Sequence, residues 1–135
     1  MLSKSATMML GLINQQPQNA YEIIKNLEIM NVKWWYNIAD STVYATLRTL
    51  DKKGFIVGVS EKNGNMPLRT VYSISNKGKE ALRDTLSKSI LSFDYDTNVF
   101  SIAAFLLDFF EPKEQITLLE NRIEILKKYI DGIEK

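Results

Sequence analysis

The stretch Asp40–Ile56, DSTVYATLRTLDKKGFI, decides how the rest of the chain is arranged. The side chains of Asp40 and Ser41 can accept hydrogen bonds from the free N–H groups of a first helical turn, so we expect a helix to begin there. Gly54 favours the left-handed conformation that ends a helix. Between these ends an apolar stripe recurs at spacings of four and three residues, and it consists of Val43, Leu47 and Leu50.

The opposite face of this predicted helix is polar and cationic. It carries short hydroxyls, one aromatic ring, one small residue and two cations: Ser41, Thr42, Tyr44, Ala45, Arg48 and Lys52. A helix with such a face fits the major groove of DNA, about 12 Å wide, and reaches base edges and phosphates there. A hydroxyl-rich surface helix without any ligand has the same pattern, so the flanking sequence has to decide between the two.

The composition of the 135-residue chain excludes several kinds of site. It contains no cysteine and no histidine, which removes disulfides, thiolate nucleophiles, the commonest zinc ligands and the commonest general base. We also find no glycine-rich phosphate loop, and we therefore expect no catalytic residue, no metal site, no cofactor and no enzymatic activity. The apolar run near the N-terminus is too short to span a membrane and has no cleavage site after it, so the sequence predicts a cytoplasmic protein.

Charge is distributed unevenly along the chain. Residues 1–79 hold ten Lys and Arg against five Asp and Glu, whereas residues 80–135 hold seven against eleven. The two balances, +5 and −4, agree with the net charge of +1. A basic first part and an acidic second part indicate that only the first part faces a polyanion.

The residues on either side of the central stretch predict a winged helix-turn-helix. Two helices precede it, the second of them starting at an Asn-x-x-Glu capping box. Two strand-like runs follow, joined through an Asn-Gly pair that is typical of hairpins, and a fourth helix capped by Ser75 comes after them. The predicted helices are Ser5–Ile13, Asn19 to about Met30 and Asn76 to about Leu91, and Lys62–Asn65 separates the two strands.

Five short motifs carry a resemblance to a known family. They are LGLI at 10–13, PQNAYEI at 17–23, STVYATL at 41–47, LDKKGFI at 50–56 and PLRTVYSIS at 67–75. These motifs resemble those of the PadR-like transcriptional regulators, whose fold is a winged helix-turn-helix. The chain departs from the family pattern at Ala20, Ala45, Thr70 and Val71, where glycine, proline, a basic residue and tyrosine are frequent. The departure at Thr70 predicts a wing that is less basic than usual.

Residues 92–135 predict a helical region that dimerises. The run from Val99 to Phe110 is apolar nearly all round, as in a helix buried on most sides. Pro112 begins a second helix with a heptad seam at Ile116, Leu119, Ile123, Leu126, Ile130 and Ile133. Both helices could instead fold back on their own winged helix, but they add more apolar surface than it could cover. In the PadR-like family, too, the C-terminal helices dimerise, and the expected interface residues are Phe100, Leu107, Leu119, Ile123, Leu126 and Ile130.

The predicted fold is mostly α with a two-stranded β wing. A winged helix-turn-helix DNA-binding domain, residues 1–91, is followed by a C-terminal α-helical dimerisation region, residues 92–135. The predicted function is that of a homodimeric, sequence-specific transcriptional regulator, a repressor, that binds double-stranded DNA at an inverted-repeat operator. The alternative is a protein–protein interaction module that does not bind DNA. The expected DNA-contacting residues are Ser41, Thr42, Tyr44, Arg48, Lys62 and Arg69.

The loop Asn31–Ala39 is unusually rich in aromatic residues and leaves two interpretations open. Such a cluster fills the gap between helices beneath a turn more often than it binds a ligand. The resemblance implies a small aromatic or lipophilic effector, or none, and no membrane partner. If an effector pocket exists, its expected aromatic residues are Trp34, Trp35, Phe93 and Tyr95.

Overall fold

The chain folds as six α-helices and a two-stranded antiparallel sheet, in a computed structural model that describes residues 1–62, 64–65, 67–92 and 97–134. This architecture confirms the predicted fold class. Short 3-10 helices occur at Val32–Trp34 and Leu107–Phe109. The elements divide into two compact units, Met1–Leu82 and Arg83–Lys135. In order, they are α1 Lys4–Gln15, α2 Ala20–Ile29, α3 Asp40–Lys52, β1 Ile56–Glu61, β2 Arg69–Ile74, α4 Asn76–Leu91, α5 Thr97–Phe105 and α6 Pro112–Glu134.

The central stretch forms α3, and its apolar stripe lies in the core of the first unit. Val43, Leu47 and Leu50 are each buried, as their spacing predicts. The predicted cap was wrong, because the N-cap residue is Ala39, which makes no side-chain hydrogen bond. Asp40 lies instead inside the first turn, where its negative charge still suits the positive end of the helix dipole. The helix ends before Gly54, whose φ of 79° is the left-handed conformation that the sequence predicts there.

Helices α1 and α2 pack against α3. Helix α1 is buried over eight consecutive residues, Ala6–Ile13, and Ser3 caps its N-terminus by accepting a hydrogen bond from the Ala6 N–H. The predicted capping box of α2 is confirmed. Asn19 Oδ1 accepts from the Glu22 N–H at 2.9 Å, and Glu22 Oε1 accepts from the Asn19 N–H at 3.0 Å.

Strands β1 and β2 form the wing, with Gly58 opposite Tyr72 in the register. The wing is fixed to the segment before α2, because Tyr72 and Gln18 exchange both backbone hydrogen bonds, at 3.0 and 3.2 Å. The Gln18 side chain is buried, and its Nε2 donates to the Leu12 carbonyl at 2.7 Å. Its Oε1 accepts from Asn26 Nδ2 at 2.8 Å. One buried residue therefore connects α1 and α2 through its side chain and the wing through its backbone.

A close junction joins the wing to α4. Ser75 Oγ accepts from the Gly78 N–H at 3.0 Å, which confirms the predicted cap, and its own hydroxyl donates to the Gly54 carbonyl at 2.6 Å. A Cβ atom at Gly78 would lie only 2.2 Å from the Phe55 carbonyl oxygen. A side chain at this position is therefore excluded unless the backbone shifts.

The aromatic loop does not fill a gap in the core, so that interpretation was wrong. Trp34 is 86% exposed and Trp35 is 37% exposed. The buried positions are instead aliphatic, Val32 and Ile38. The Trp35 ring stacks on that of Tyr36, with their centroids 6.4 Å apart.

In the second unit the apolar run is not one helix, as the sequence predicted. Helix α5 ends at Phe105 and a 3-10 turn follows. The break at Leu106 lets Phe110 turn inward, where its ring meets that of Phe109 edge to face at 5.1 Å. Arg83 stacks over both of these rings and pairs with Glu114 at 2.7 Å.

Helix α6 begins at Pro112, as predicted. Arg122 attaches it to the end of α4, because the guanidinium donates to the Ile90 carbonyl at 2.9 Å. The same guanidinium lies 3.8 Å from the centroid of the Phe100 ring. Leu118 is buried. Three residues of the predicted seam are more than half exposed in the single chain: Ile116, Ile123 and Ile130.

Candidate nucleic-acid interface

The outward face of α3 is a continuous polar surface. Burial of its apolar stripe fixes the rotation of the helix, so Ser41, Thr42 and Tyr44 are exposed in its first two turns and Arg48 is exposed one turn later. No ion pair joins Arg48 to any other residue in the described part of the chain. The helix thus presents hydroxyls at its positive end and an available guanidinium behind them.

A groove of about 460 Å³ lies between α3, the start of α2 and the wing. Helix α3 contributes Tyr44 and Arg48 to its lining, and β2 contributes Arg69. Three of the six predicted DNA-contacting residues therefore line one concavity, although they come from two separate elements. The complete lining is Asn19, Ala20, Tyr21, Tyr44, Leu47, Arg48, Pro67, Leu68, Arg69, Thr70 and Tyr72.

Tyr72 forms part of this groove because its cross-strand neighbour is glycine. A Cβ atom at Gly58 would lie 3.1 Å from Tyr72 Cε1 and 2.6 Å from Thr70 Cγ2. Burial raises the pKa of the Tyr72 hydroxyl above its ordinary value, and the Asp51 carboxylate raises it further, whereas Arg48 lowers it. A tyrosine hydroxyl is neutral at physiological pH in any case, so it can donate a hydrogen bond to an anion.

Arg69 lies over an aromatic ring rather than against a carboxylate. Its guanidinium carbon is 4.8 Å from the centroid of the Tyr21 ring, over which Lys25 Nζ also lies, at 5.4 Å. Glu61 is its direct partner in the strand register, yet these two described residues form no ion pair. The Arg69 guanidinium is thus within cation–π distance of the Tyr21 ring.

A second concavity, about 380 Å³ in volume, adjoins the groove. The two share Tyr21 and Arg69, but the second is also lined by the carboxylates of Glu22 and Glu61. The groove toward α3 has two arginines and no carboxylate in its lining. By its lining, the α3 side of Arg69 is the less acidic of the two, and the one carboxylate that acts on it is that of Asp51 beyond the lining.

The remaining predicted site residues lie elsewhere. Lys62 is exposed just beyond the end of β1 and does not line the groove. Trp34 and Trp35 lie in the loop before α3, away from both concavities, and Phe93 and Tyr95 fall outside the described residues.

Sequence reasoning missed Tyr21 and Tyr72, which line the groove. Tyr21 lies inside the α2 capping box, between Asn19 and Glu22, and the lone glycine in β1 is the only sequence signal for a large ring opposite it.

Residues 1–62, 64–65, 67–92 and 97–134 hold neither a cluster of metal-binding side chains nor a membrane-spanning helix. They contain no group of three or more Asp, Glu, His or Cys side chains placed to hold a metal ion. In the same ranges, no helix is both long enough and apolar enough to cross a bilayer.

Comparison with solved structures shows the same fold in other proteins. PadR of Bacillus subtilis, solved in complex with operator DNA, matches with a TM-score of 0.60 and 19% identity over 96% of this chain and 73% of that one. The protein smu.1604c of Streptococcus mutans UA159 matches with a TM-score of 0.56 and 23% identity, over 97% of this chain and 75% of that one. No match was found among curated protein sequences.

The sequence itself matches a family model over residues 9–84, which is more than half of the chain. That range contains α2, α3, both strands and the whole lining of the groove. The model describes transcriptional regulators rather than enzymes. The chain is therefore a member of the PadR-like family of transcriptional regulators.

Proposed function

We propose that this regulator binds double-stranded DNA with α3 in the major groove and the wing against the flanking backbone. The observation that carries the proposal is the exposed polar face of α3 beside a groove lined by arginines from both α3 and the wing. The complex of B. subtilis PadR with operator DNA supports it, because that protein has a similar fold.

The two elements have different chemical roles in this proposal. Ser41, Thr42 and Tyr44 lie at the N-terminal end of α3, where hydroxyls reach base edges and the helix dipole favours phosphate. Arg48 and Arg69 contact phosphates, which adds affinity but carries no sequence information. Lys62, just beyond β1, contacts the adjacent phosphates or minor groove.

We further propose that the active form is a homodimer held together by the C-terminal helices. The exposed isoleucines on α6 lie at heptad spacing, and such a ridge is favourable only when another apolar surface covers it. A two-fold dimer presents two copies of α3 and so selects an inverted repeat with half-sites about one turn, roughly 34 Å, apart. Occupation of such a site excludes other proteins from the same duplex, which is the basis for proposing repression.

A small aromatic effector is part of the proposal. The Trp34 indole is exposed and offers a stacking surface beside the Trp35–Tyr36 pair. Planar aromatic compounds should therefore quench the tryptophan fluorescence saturably, and Trp34→Leu should reduce the amplitude of this saturable quenching. A panel of such compounds with no saturable quenching would leave the loop without a ligand role.

The decisive experiment separates base contacts from phosphate contacts. An operator is first selected from a random duplex library, and affinities for this operator and for an unrelated duplex are then measured across salt concentrations. Thr42→Ala should lower the ratio of specific to random affinity by roughly 1–3 kcal/mol per lost base contact. Arg69→Ala should weaken binding to both duplexes and reduce the salt slope by about one ion per half-site.

Matched controls come from the same chain. Thr49→Ala removes a hydroxyl of α3 that is already bonded to the Ala45 carbonyl at 3.1 Å, and it should leave the specificity ratio unchanged. Lys113→Ala removes an exposed cation of α6 and should leave the salt slope unchanged. Wild-type protein that binds no duplex even at low salt would contradict the proposal and favour a protein–protein module.

A further inference from the structure

Two cations from different elements lie over the Tyr21 ring. Lys25 lies on α2 with the ring, whereas Arg69 comes from β2. Tyr21 itself is 48% exposed, so the ring is not needed to complete the core. A half-exposed ring that holds a cation from another element is better explained by a role in orientation than by one in packing.

The orientation of Arg69 has a consequence for the groove. With the guanidinium stacked on Tyr21, Arg69 forms part of the same wall as Tyr21 and faces a cavity to which α3 contributes Arg48. On the other side, the second concavity presents Glu22 and Glu61. These carboxylates would repel a phosphate, so the charges direct an anion toward the groove that contains both arginines.

We propose that Tyr21 is a positioning residue that holds Arg69 so that Arg48 and Arg69 bind one and the same phosphodiester of the duplex backbone within this groove. The inference rests on the proposed DNA binding. It adds that the reading helix and the wing share a single phosphate, which fixes the wing relative to α3 on the duplex. A planar guanidinium that is already oriented loses less freedom on binding than one that samples solvent.

The first experiment tests the positioning role with two substitutions of Tyr21. Tyr21→Phe keeps the ring, and affinity for the selected operator should stay within about twofold of wild type. Tyr21→Leu removes the ring and should weaken binding about two- to fivefold per half-site, the range expected for an exposed cation–π contact. In an Arg69→Ala background Tyr21→Leu should have no further effect. Melting temperatures of all variants should agree, because Tyr21 is half exposed.

The second experiment tests the shared phosphate. Phosphates of the operator are replaced one at a time by neutral methylphosphonates, and the loss of affinity is measured for wild type, Arg48→Ala and Arg69→Ala. At one phosphate position per half-site, the methylphosphonate should weaken binding of the wild-type protein. At that same position it should have little effect on the affinity of Arg48→Ala or of Arg69→Ala. Tyr21→Leu should reduce the sensitivity at that same position.

The outcomes separate the inference from the function on which it rests. Wild-type protein without duplex affinity would overturn both. Wild-type binding with equal affinities for Tyr21→Leu and Tyr21→Phe would overturn the positioning role alone. Two different methylphosphonate positions for Arg48 and Arg69 would overturn the shared phosphate and leave DNA binding intact.

Discussion

Helices α3 and α6 have the same apolar periodicity but opposite exposure. In α3 the stripe is fully covered, and Val43 and Leu47 are each only 1% exposed. In α6 every second residue of the seam is more than half exposed (Ile116, Ile123 and Ile130), whereas Leu119 and Leu126 between them are half-buried. Sequence periodicity therefore predicts that a helix has an apolar face, but it does not tell which surface covers that face.

The difference shows which of the two units buries its apolar side chains within a single chain. The first unit buries an aliphatic core and satisfies its buried amide, and in the described residues no buried side-chain polar atom lacks a hydrogen bond. The second unit keeps its helices together through Arg83 and Arg122. The isoleucines of the α6 seam, Ile116, Ile123 and Ile130, are left exposed. This contrast can be tested by substitutions on either side.

The largest effect is expected at Ile123. In the single chain, Ile123→Asp would place a carboxylate in solvent at little cost. In the proposed dimer it would bury that carboxylate, which costs more than the roughly 2–7 kcal/mol of an unpaired polar group, and the dimer bears this cost twice. Sedimentation at micromolar concentration should therefore show a dimer for wild type and a monomer, or unfolded protein, for the variant.

The control for this prediction is Thr117→Asp, at an exposed position of α6 that is not part of the seam. It introduces the same charge in the same helix and should leave the dimer intact. A wild-type monomer in the same experiment would refute the dimer, and the uncovered seam would then need another partner.

A smaller effect is expected at Leu47, the matching position on α3. Leu47→Ala removes a buried side chain from the first unit and should lower its free energy of unfolding by about 2–5 kcal/mol. The loss should not depend on protein concentration, because this core lies within one chain. Chemical denaturation at two concentrations checks both points, and a strong concentration dependence would show that this core, too, is shared between subunits.

The smallest effect is expected at Gln18. Gln18→Ala removes the partner of Asn26 Nδ2 and leaves the Leu12 carbonyl with only the longer hydrogen bond from the Gln16 N–H, at 3.4 Å. The loss should destabilise the first unit by about 1–3 kcal/mol. Gln16→Ala is the control, since that side chain is exposed and should have almost no effect. Equal unfolding midpoints for the two variants would mean that water replaces the buried amide.

Local chemistry explains which features could be predicted. The capping box at Asn19, the turn at Gly54 and the cap at Ser75 depend only on neighbouring residues, and the structure confirms each of them. The break at Leu106 could not be predicted, because the run 99–110 is apolar nearly all round and contains no Gly or Pro to mark an end. The start of α3 was misplaced by one residue, since Ala39 caps it without a side-chain hydrogen bond.

The groove depends on contacts between distant parts of the chain, and for that reason its composition was only partly predicted. Arg48 and Arg69 could be proposed from their elements alone. The stacking of Arg69 on Tyr21 depends on how β2 docks beside α2, through the bridge between Gln18 and Tyr72. The preferred interpretation, that the Trp34 ring fills a gap between helices, was wrong because composition alone does not tell which way a side chain points.

Gly58 has a further consequence, for the fidelity of strand pairing. Apart from Ile56, every residue of β1 is exposed, so burial alone specifies the pairing weakly and alternative, slipped pairings compete. Only Gly58 tolerates the Thr70 and Tyr72 side chains beside it, because a Cβ atom there would lie 2.6 Å from Thr70 Cγ2. A slipped hairpin would bring a valine, an isoleucine or a serine to that place and be rejected by the clash. The absence of a side chain at Gly58 thus favours the observed register over slipped ones. That register determines which residues of β2 line the groove.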